Sequence, residues 1–302
     1  MDIFGRMVNT QSLLLLFILL GVVCQKTGII TRENRGGFNN FLLNITLPAM
    51  ILNSFLGEVG PDAFAQAGLI LLVSALVCLG AWGLGSWLWR NQPGHQKSVL
   101  VFATMFSNAG NAGLPVISLV FGQAGLLYAA LYLIPVRVIM WSLGVRIFQK
   151  ERGKGSWKPL LLNPSILVVF LGLFLMLTGL RPPELVQTAI RRVGDITGPL
   201  AMILIGTTLA EMKLREAFSL QAWLLSLIRL VVMPLITLGA LLLLRAETLA
   251  GQVAFVLCAM PVATNTVVLS ERYGADHLLA GKAVFLSTLL SLLSVPLLTL
   301  LL

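Results

Sequence analysis

The chain has 302 residues, of which 57% are hydrophobic and 11% charged, with a mean hydropathy of +0.92. Soluble domains carry about 25% charged residues, so this composition excludes a soluble enzyme and a disordered chain. The net charge of +9 does not make it a nucleic-acid binder, because so much apolar surface needs lipid around it. What remains is an all-α polytopic membrane protein, and about 20 residues per span leaves room for about ten spans.

The first span is predicted at 11–30. Arg6 followed by Leu13 to Val23 imitates a signal peptide, yet no small-x-small cleavage site follows and more apolar runs come at once. The next spans are expected at 39–56, 64–89, 98–121 and 124–147. A polar stretch at 149–160 then separates them from spans at 163–180, 195–212, 219–244, 250–271 and 277–301. The cysteines, Cys24, Cys78 and Cys258, are too far apart for a metal site and read as packing residues. Gly21, Gly80, Gly83 and Gly85 are expected to permit close helix contact.

Ten spans place the termini and the even-numbered connections on one side. Arg137 and Arg229 fall within spans. Of the other Lys and Arg residues, five (Arg6, Arg181, Arg191, Arg192 and Arg245) lie on that side and fourteen on the opposite side. The positive-inside rule then predicts a cytoplasmic-membrane protein with both termini outside and loop 149–160 in the cytoplasm.

The halves echo each other. Ile45-Thr-Leu-Pro48 followed by Ala-Met-Ile-Leu matches Ile196-Thr-Gly-Pro199 followed, one residue later, by Ala-Met-Ile-Leu. Pro48 and Pro199 are 151 residues apart, and Phe121-Gly122 and Tyr273-Gly274 are 152 apart. Five spans per half predict a 5+5 inverted repeat, about 11–148 and 161–302, the architecture of many secondary transporters.

Both halves are also interrupted. Span 4 contains Ser107, Asn108, Gly110, Asn111, Gly113 and Pro115; span 9 contains Pro261, Thr264, Asn265 and Thr266. Proline removes a helical hydrogen bond and glycine weakens the helix. Paired interruptions in matching helices point to a midplane substrate site. Asparagine amides and half-helix N-termini suit an anion. No carboxylate falls at mid-span, whereas Arg137 and Arg229 do, as possible charge partners for an anionic substrate or as donors to broken-helix carbonyls.

Asn108-x4-Gly113-x-Pro115, Ala259-Met-Pro261, Asn163-Pro164, Gly198-Pro199 with Gly206, and Glu271-Arg-Tyr-Gly274 resemble the auxin efflux carrier family. That family lies within the bile/arsenite/riboflavin transporter superfamily, alongside bile-acid sodium symporters. The resemblance covers essentially the whole chain. It implies helices 4 and 9 crossing at their prolines, a scaffold of helices 1, 2, 6 and 7 that forms homodimers, and transport helices 3–5 and 8–10 moving as an elevator. It also implies carboxylate substrates such as auxin, malate or malonate. Asn108 matches the family's crossover asparagine, and Pro115 and Pro261 its crossing prolines. Thr266 stands where plant members often have a second proline, and their long central loop is absent.

The leading expectation is therefore a carrier of small organic anions with a site built from Asn108, Asn111, Gly113, Pro115, Pro261, Thr264, Asn265 and Thr266. No resident metal or cofactor is expected. The alternatives are a sodium- or proton-coupled symporter, with Thr264 or Thr266 among the sodium ligands, and a non-transporting membrane receptor. An intramembrane enzyme is disfavoured, since His95 and His277 lie near span ends and form no metal motif.

Overall fold

The computed structural model describes residues 3–56, 63–149, 164–211, 219–246 and 248–302. Its regular elements are all helical, and the only strand-like pairing among the described residues is one isolated bridge between Ser107 and Val262. The helices are α1 (Ile3–Lys26), α2 (Arg32–Phe41), α3 (Leu47–Phe55), α4 (Ala63–Leu88), α5 (Gly94–Met105), α6 (Leu114–Ile139) and α7 (Val145–Gln149). In the second half come α8 (Pro164–Thr178), α9 (Glu184–Asp195), α10 (Thr197–Glu211), α11 (Leu220–Leu227), α12 (Met233–Leu243), α13 (Leu249–Cys258), α14 (Asn265–Arg272) and α15 (His277–Leu298). Apart from Gln149, the predicted loop 149–160 lies outside the described residues, as does Asn163.

Among the described residues, six helical stretches are long and apolar enough to cross a membrane: Ile3–Lys26, Gln66–Leu88, Ala109–Gln149, Glu184–Ala210, Leu220–Leu243 and His277–Leu301. Two shorter helices, Leu167–Thr178 and Leu249–Cys258, are also apolar. The molecule is thus an all-helical, multi-pass membrane protein. The Ala109–Gln149 stretch has 41 residues. Straight, it would be about 60 Å long, twice the roughly 30 Å of bilayer hydrocarbon. It is not straight: Gly122 sits at φ 67°, ψ −156° and breaks it, a conformation that a Cβ disfavours.

Two helices extend beyond the predicted spans because their ends are polar. The run 32–37 contains Arg32, Glu33, Asn34 and Arg35, too hydrophilic to register as membrane, yet α2 begins there. Thr31 and Asn34 form a capping box: Asn34 N donates to Thr31 Oγ1, and Thr31 N donates to Asn34 Oδ1 at 2.8 Å. The segment Glu184–Asp195, predicted as a connection, is the amphipathic helix α9, entered through Pro183. Its Arg191 and Arg192 lower the mean hydropathy without disturbing the helical period.

Four π turns interrupt the helices among the described residues: Leu42–Thr46, Ala109–Gly113, Met140–Gly144 and Ile228–Val232. Three of them are followed, two residues later, by a proline: Pro48, Pro115 and Pro234. Proline has no N–H, and its ring crowds the carbonyl four residues back. The wider turn relieves that crowding, and such bulges concentrate at functional sites.

Helix α1 packs along α10, and α3 packs on α8 and α9. Helix α4 packs on α5, α6 and α13, while α15 packs on α11, α5 and α14. The α1–α10 contact is backbone to backbone: a Cβ on Gly21 would lie 2.1 Å from Ile203 O, and one on Gly206 2.0 Å from Ile18 O. Gly85 faces Thr104, but Gly80 and Gly83 face open space, so the predicted tight packing is absent at those two positions. Gly80 instead lines a groove between α4 and α12, beside Met233, Ile236 and Ala240. Side chains such as Leu16, Leu72, Leu76 and Leu293 are more than half exposed, as expected for surface that meets lipid tails.

Among the described residues, four glycines adopt left-handed φ: Gly28 at 77°, Gly122 at 67°, Gly179 at 69° and Gly274 at 66°. Gly28 and Gly179 are 151 residues apart, and Gly122 and Gly274 are 152 apart, the same offsets that separate the sequence echoes.

Candidate functional site

A broken helix exposes carbonyls at the end of its first half and amides at the start of its second. Here two breaks cross and satisfy part of each other's need. Helix α5 ends at Met105, and Phe106 is extended at φ −114°, ψ 118°. The chain resumes helical winding at Ala109, after Asn108 at φ −77°, ψ 41°. In the other half, α13 ends at Cys258 and α14 starts at Asn265. The non-helical segments run antiparallel: Asn108 N donates to Pro261 O at 2.7 Å, and Ala263 N donates to Phe106 O at 3.0 Å. Ser107 Oγ donates to Leu257 O at 2.8 Å, and Val262 N donates to Ser287 Oγ at 3.1 Å.

The carbonyl ends are held by one side chain. Arg229 lies in the π turn Ile228–Val232 and is 1% exposed. Its Nη1 donates to Thr104 O at 3.0 Å and its Nη2 to Cys258 O at 2.6 Å. A guanidinium therefore bridges the C-terminal ends of α5 and α13, where two helix dipoles place partial negative charge. Thr104 is itself fixed by Trp89, whose Nε1 donates to its hydroxyl at 3.1 Å.

The amide ends face a cavity of about 330 Å³. Five asparagines line it: Asn40, Asn44, Asn108, Asn111 and Asn265. Ser107 and Thr264 add hydroxyls, and Arg137 adds a guanidinium. Leu43, Leu47, Leu133, Val136, Met140 and Trp141 are among the apolar walls. No carboxylate is among the described residues that line it. Residues from three of the four π turns reach the wall, so the bulges turn Asn44, Asn111 and Trp141 toward one space.

Asn108 is 4% exposed, and its Nδ2 is buried without a hydrogen-bond partner. A buried amide donor left unpaired costs about 1–3 kcal/mol, so such groups are rare away from functional sites. Asn111 Nδ2 donates to Thr264 Oγ1 at 3.3 Å, and Asn265 Nδ2 faces the soft acceptor Met140 Sδ at 3.3 Å. Neither Asn108 nor Thr264 spends its side chain on capping the helix that follows.

Of the residues singled out in the sequence, Asn108, Asn111, Thr264, Asn265 and Arg137 come together on the cavity wall. The others stand behind it. Gly113 packs against Leu257 and Met260, where a Cβ would lie 2.6 Å from Leu257 Cδ2. Pro115 starts α6, Pro261 contributes its carbonyl to the crossing, and Thr266 is fully buried with an unpartnered hydroxyl. Arg229 is at the opposite, carbonyl face of the crossing.

A family model described as Membrane transport protein, that of the auxin efflux carriers, matches residues 9–158 and 153–299. The chain belongs to the auxin efflux carrier family. It is a membrane transporter and not an enzyme. An uncharacterized transporter of Methanothermobacter thermautotrophicus is 29% identical to it over 301 residues, 98% of each chain. An uncharacterized transporter of Methanocaldococcus jannaschii is 25% identical, covering 94% of this chain and 95% of the relative. A Rhizobium meliloti protein named "Putative malonate transporter" is 24% identical, covering 87% of this chain and 85% of its own.

Sequence reasoning missed Asn40, Asn44, Ser107 and Trp141 in this auxin efflux carrier family chain. A signal for the first two was present: Asn40 and Asn44 are four residues apart at the polar end of a helix, hence on one face. Both fall in the span predicted at 39–56 and were not assigned to the site. Trp141 carried no signal, because aromatic residues at helix ends usually mark the membrane interface.

Proposed function

We propose that this protein is a secondary carrier of small organic anions that works by alternating access. One observation carries the reading: an asparagine-rich cavity with no carboxylate among the described residues that line it, where Asn108 Nδ2 is buried and unpartnered between two half-helix N-termini. The substrate carboxylate sits near Asn108, Asn111 and Asn265 and accepts their amide hydrogens, with Arg137 supplying the compensating charge. Partial positive charge at the two helix starts adds to the attraction. The relative named for malonate supports a dicarboxylate within this class.

The architecture we infer has ten spans in two inverted halves. The antiparallel bridge at the crossing and the paired left-handed glycines support it. So does the break at Gly122, which ends the interrupted span that α5 begins and separates it from the helical piece that follows. Helices α1–α3 and α8–α10 form the scaffold and the homodimer contact; the remaining helices carry the crossing and move as an elevator. The protein sits in the cytoplasmic membrane with both termini outside and loop 149–160 in the cytoplasm. In that orientation Asn40, Asn44, Arg137 and Trp141 lie toward the cytoplasm.

Transport without sodium is the reading we favour over symport, and Arg229 supports it. The carbonyl ends of both first half-helices already receive a fixed cation. The test is thermal stability of the purified protein with malonate, malate or indole acetate, with and without sodium. Stabilisation follows RT ln(1 + [L]/Kd), so millimolar ligand reveals weak sites. A shift with a carboxylate that is lost in Asn108→Ala and indifferent to sodium is the expected result. A shift that requires sodium favours the symporter, and no shift with any anion removes the substrate class.

A further inference from the structure

A second, larger cavity of about 870 Å³ lies away from the crossing, where the end of α4, the start of α5, the end of α7 and the turn after α14 meet. Its volume is in the range of ligand-holding sites. Lys97, Arg146 and His95 line it together with the hydroxyl-bearing Ser86, Ser98 and Tyr273. No carboxylate is among its described lining residues, and neither Lys97 nor Arg146 has an ion-pair partner among the described residues. Asp276, beside the cavity, is already engaged: its carboxylate accepts from Gln96 Nε2 at 3.2 Å and from Leu279 N at 2.9 Å.

An apolar stripe leads away from the cavity along α4. Trp82 lines the cavity and is 42% exposed. Leu79, Leu76 and Leu72 precede it on α4 at intervals of three and four residues, each about half exposed. That spacing makes one continuous helical stripe, running from the basic cavity into the lipid-facing surface. Basic groups at a membrane boundary with an apolar track leading away fit an amphiphilic anion.

We propose that this cavity binds a phosphate anion, and that the stripe makes its source the headgroup of an anionic phospholipid. The phosphate lies between Lys97 and Arg146, hydroxyls complete its acceptor contacts, and an acyl chain follows Leu79 to Leu72. Because the occupant touches α4, α5, α7 and the α14–α15 turn together, it braces elements of both halves of the chain around the crossing.

The experiment measures binding to the purified full-length protein by native mass spectrometry and by thermal shift. The probes are phosphatidylglycerol, phosphatidylcholine of the same chain length, and inorganic phosphate. The expected result is preferential binding of phosphatidylglycerol, weakened roughly 30-fold in Lys97→Gln/Arg146→Gln at about tenfold or less per charge removed. Lys97→Arg keeps the charge and retains binding, which covers a double variant that does not fold. Leu76→Gln weakens lipid binding and leaves any response to inorganic phosphate intact. Equal binding of both lipids, or phosphatidylglycerol binding unchanged in a folded double variant, overturns the site. Inorganic phosphate binding as well as phosphatidylglycerol does, with Leu76→Gln silent, keeps the phosphate site and overturns the lipid source.

Discussion

The two helix breaks do the same mechanical job with different chemistry. The first is short: residues 106–108 leave the helix, and a π turn restores it. The second is twice as long, residues 259–264, and returns directly to an α-helix. Glycines and a π turn let the first reverse quickly, and it delivers Ser107, Asn108 and Asn111 to the cavity. The second lacks glycine. It spends the Pro261 carbonyl and the Ala263 amide on pairing with the first break, then presents Thr264 and Asn265. A polar site between two breaks therefore needs no sequence symmetry. It needs only that each chain satisfies the other's backbone and that the leftover amides face one space.

The largest expected effect concerns what the breaks share. Arg229→Leu leaves the carbonyls of Thr104 and Cys258 buried and without their donor. At about 1–3 kcal/mol for each buried polar group stranded, the apparent melting temperature should fall by more than for any other single change at the crossing. Arg229→Lys should recover part of the loss, since an ammonium reaches one carbonyl more readily than two. If Arg229→Leu melts like the parent protein, the two breaks are not held from this side.

Next is the asymmetry in ligand response. Asn108→Ala removes an amide with no partner, so it should leave stability unchanged or slightly raised while weakening carboxylate binding about tenfold or more. Asn265→Ala should weaken binding less, because its neighbour Met140 already offers a soft contact. Titration of both variants by thermal shift compares the breaks directly; equal losses would erase the difference.

A smaller effect tests the link across the breaks. A double-mutant cycle on Asn111→Ala and Thr264→Val should return a coupling of about 0.5–1.5 kcal/mol for the 3.3 Å hydrogen bond. Additive changes would mean that the two breaks meet through backbone alone.

The smallest prediction is a gain. Thr266 is fully buried and its hydroxyl has no partner. Thr266→Val keeps the shape and removes the stranded group, so it should stabilise by up to about 1 kcal/mol and leave carboxylate binding intact. Reduced binding in this variant would return Thr266 to the site from which the geometry separates it.

Much of the helical framework was legible because hydropathy is a local property. Helix α4 begins and ends within one residue of its predicted span, and α11 and α12 together fill another. Helix α2 and helix α9 were legible only in part, since capping and amphipathic period, not mean hydropathy, hold them. The two breaks were visible as proline and glycine inside apolar runs. Their partners were not, because the hydrogen bonds from Asn108 to Pro261 and from Arg229 to two carbonyls join residues far apart in the chain.

By itself the sequence determined that the chain lives in a membrane, where it breaks, and which sign of charge its polar interior tolerates. These follow from composition and from backbone chemistry that acts within a few residues. The tertiary structure alone decided which polar residues share a cavity. In the folded chain Asn111 faces Thr264, Thr266 is buried, and Asn40 and Asn44 share the cavity wall. Arg229 is on the carbonyl side and Arg137 on the amide side. Two arginines of one chemical type thus stand on opposite faces of the crossing.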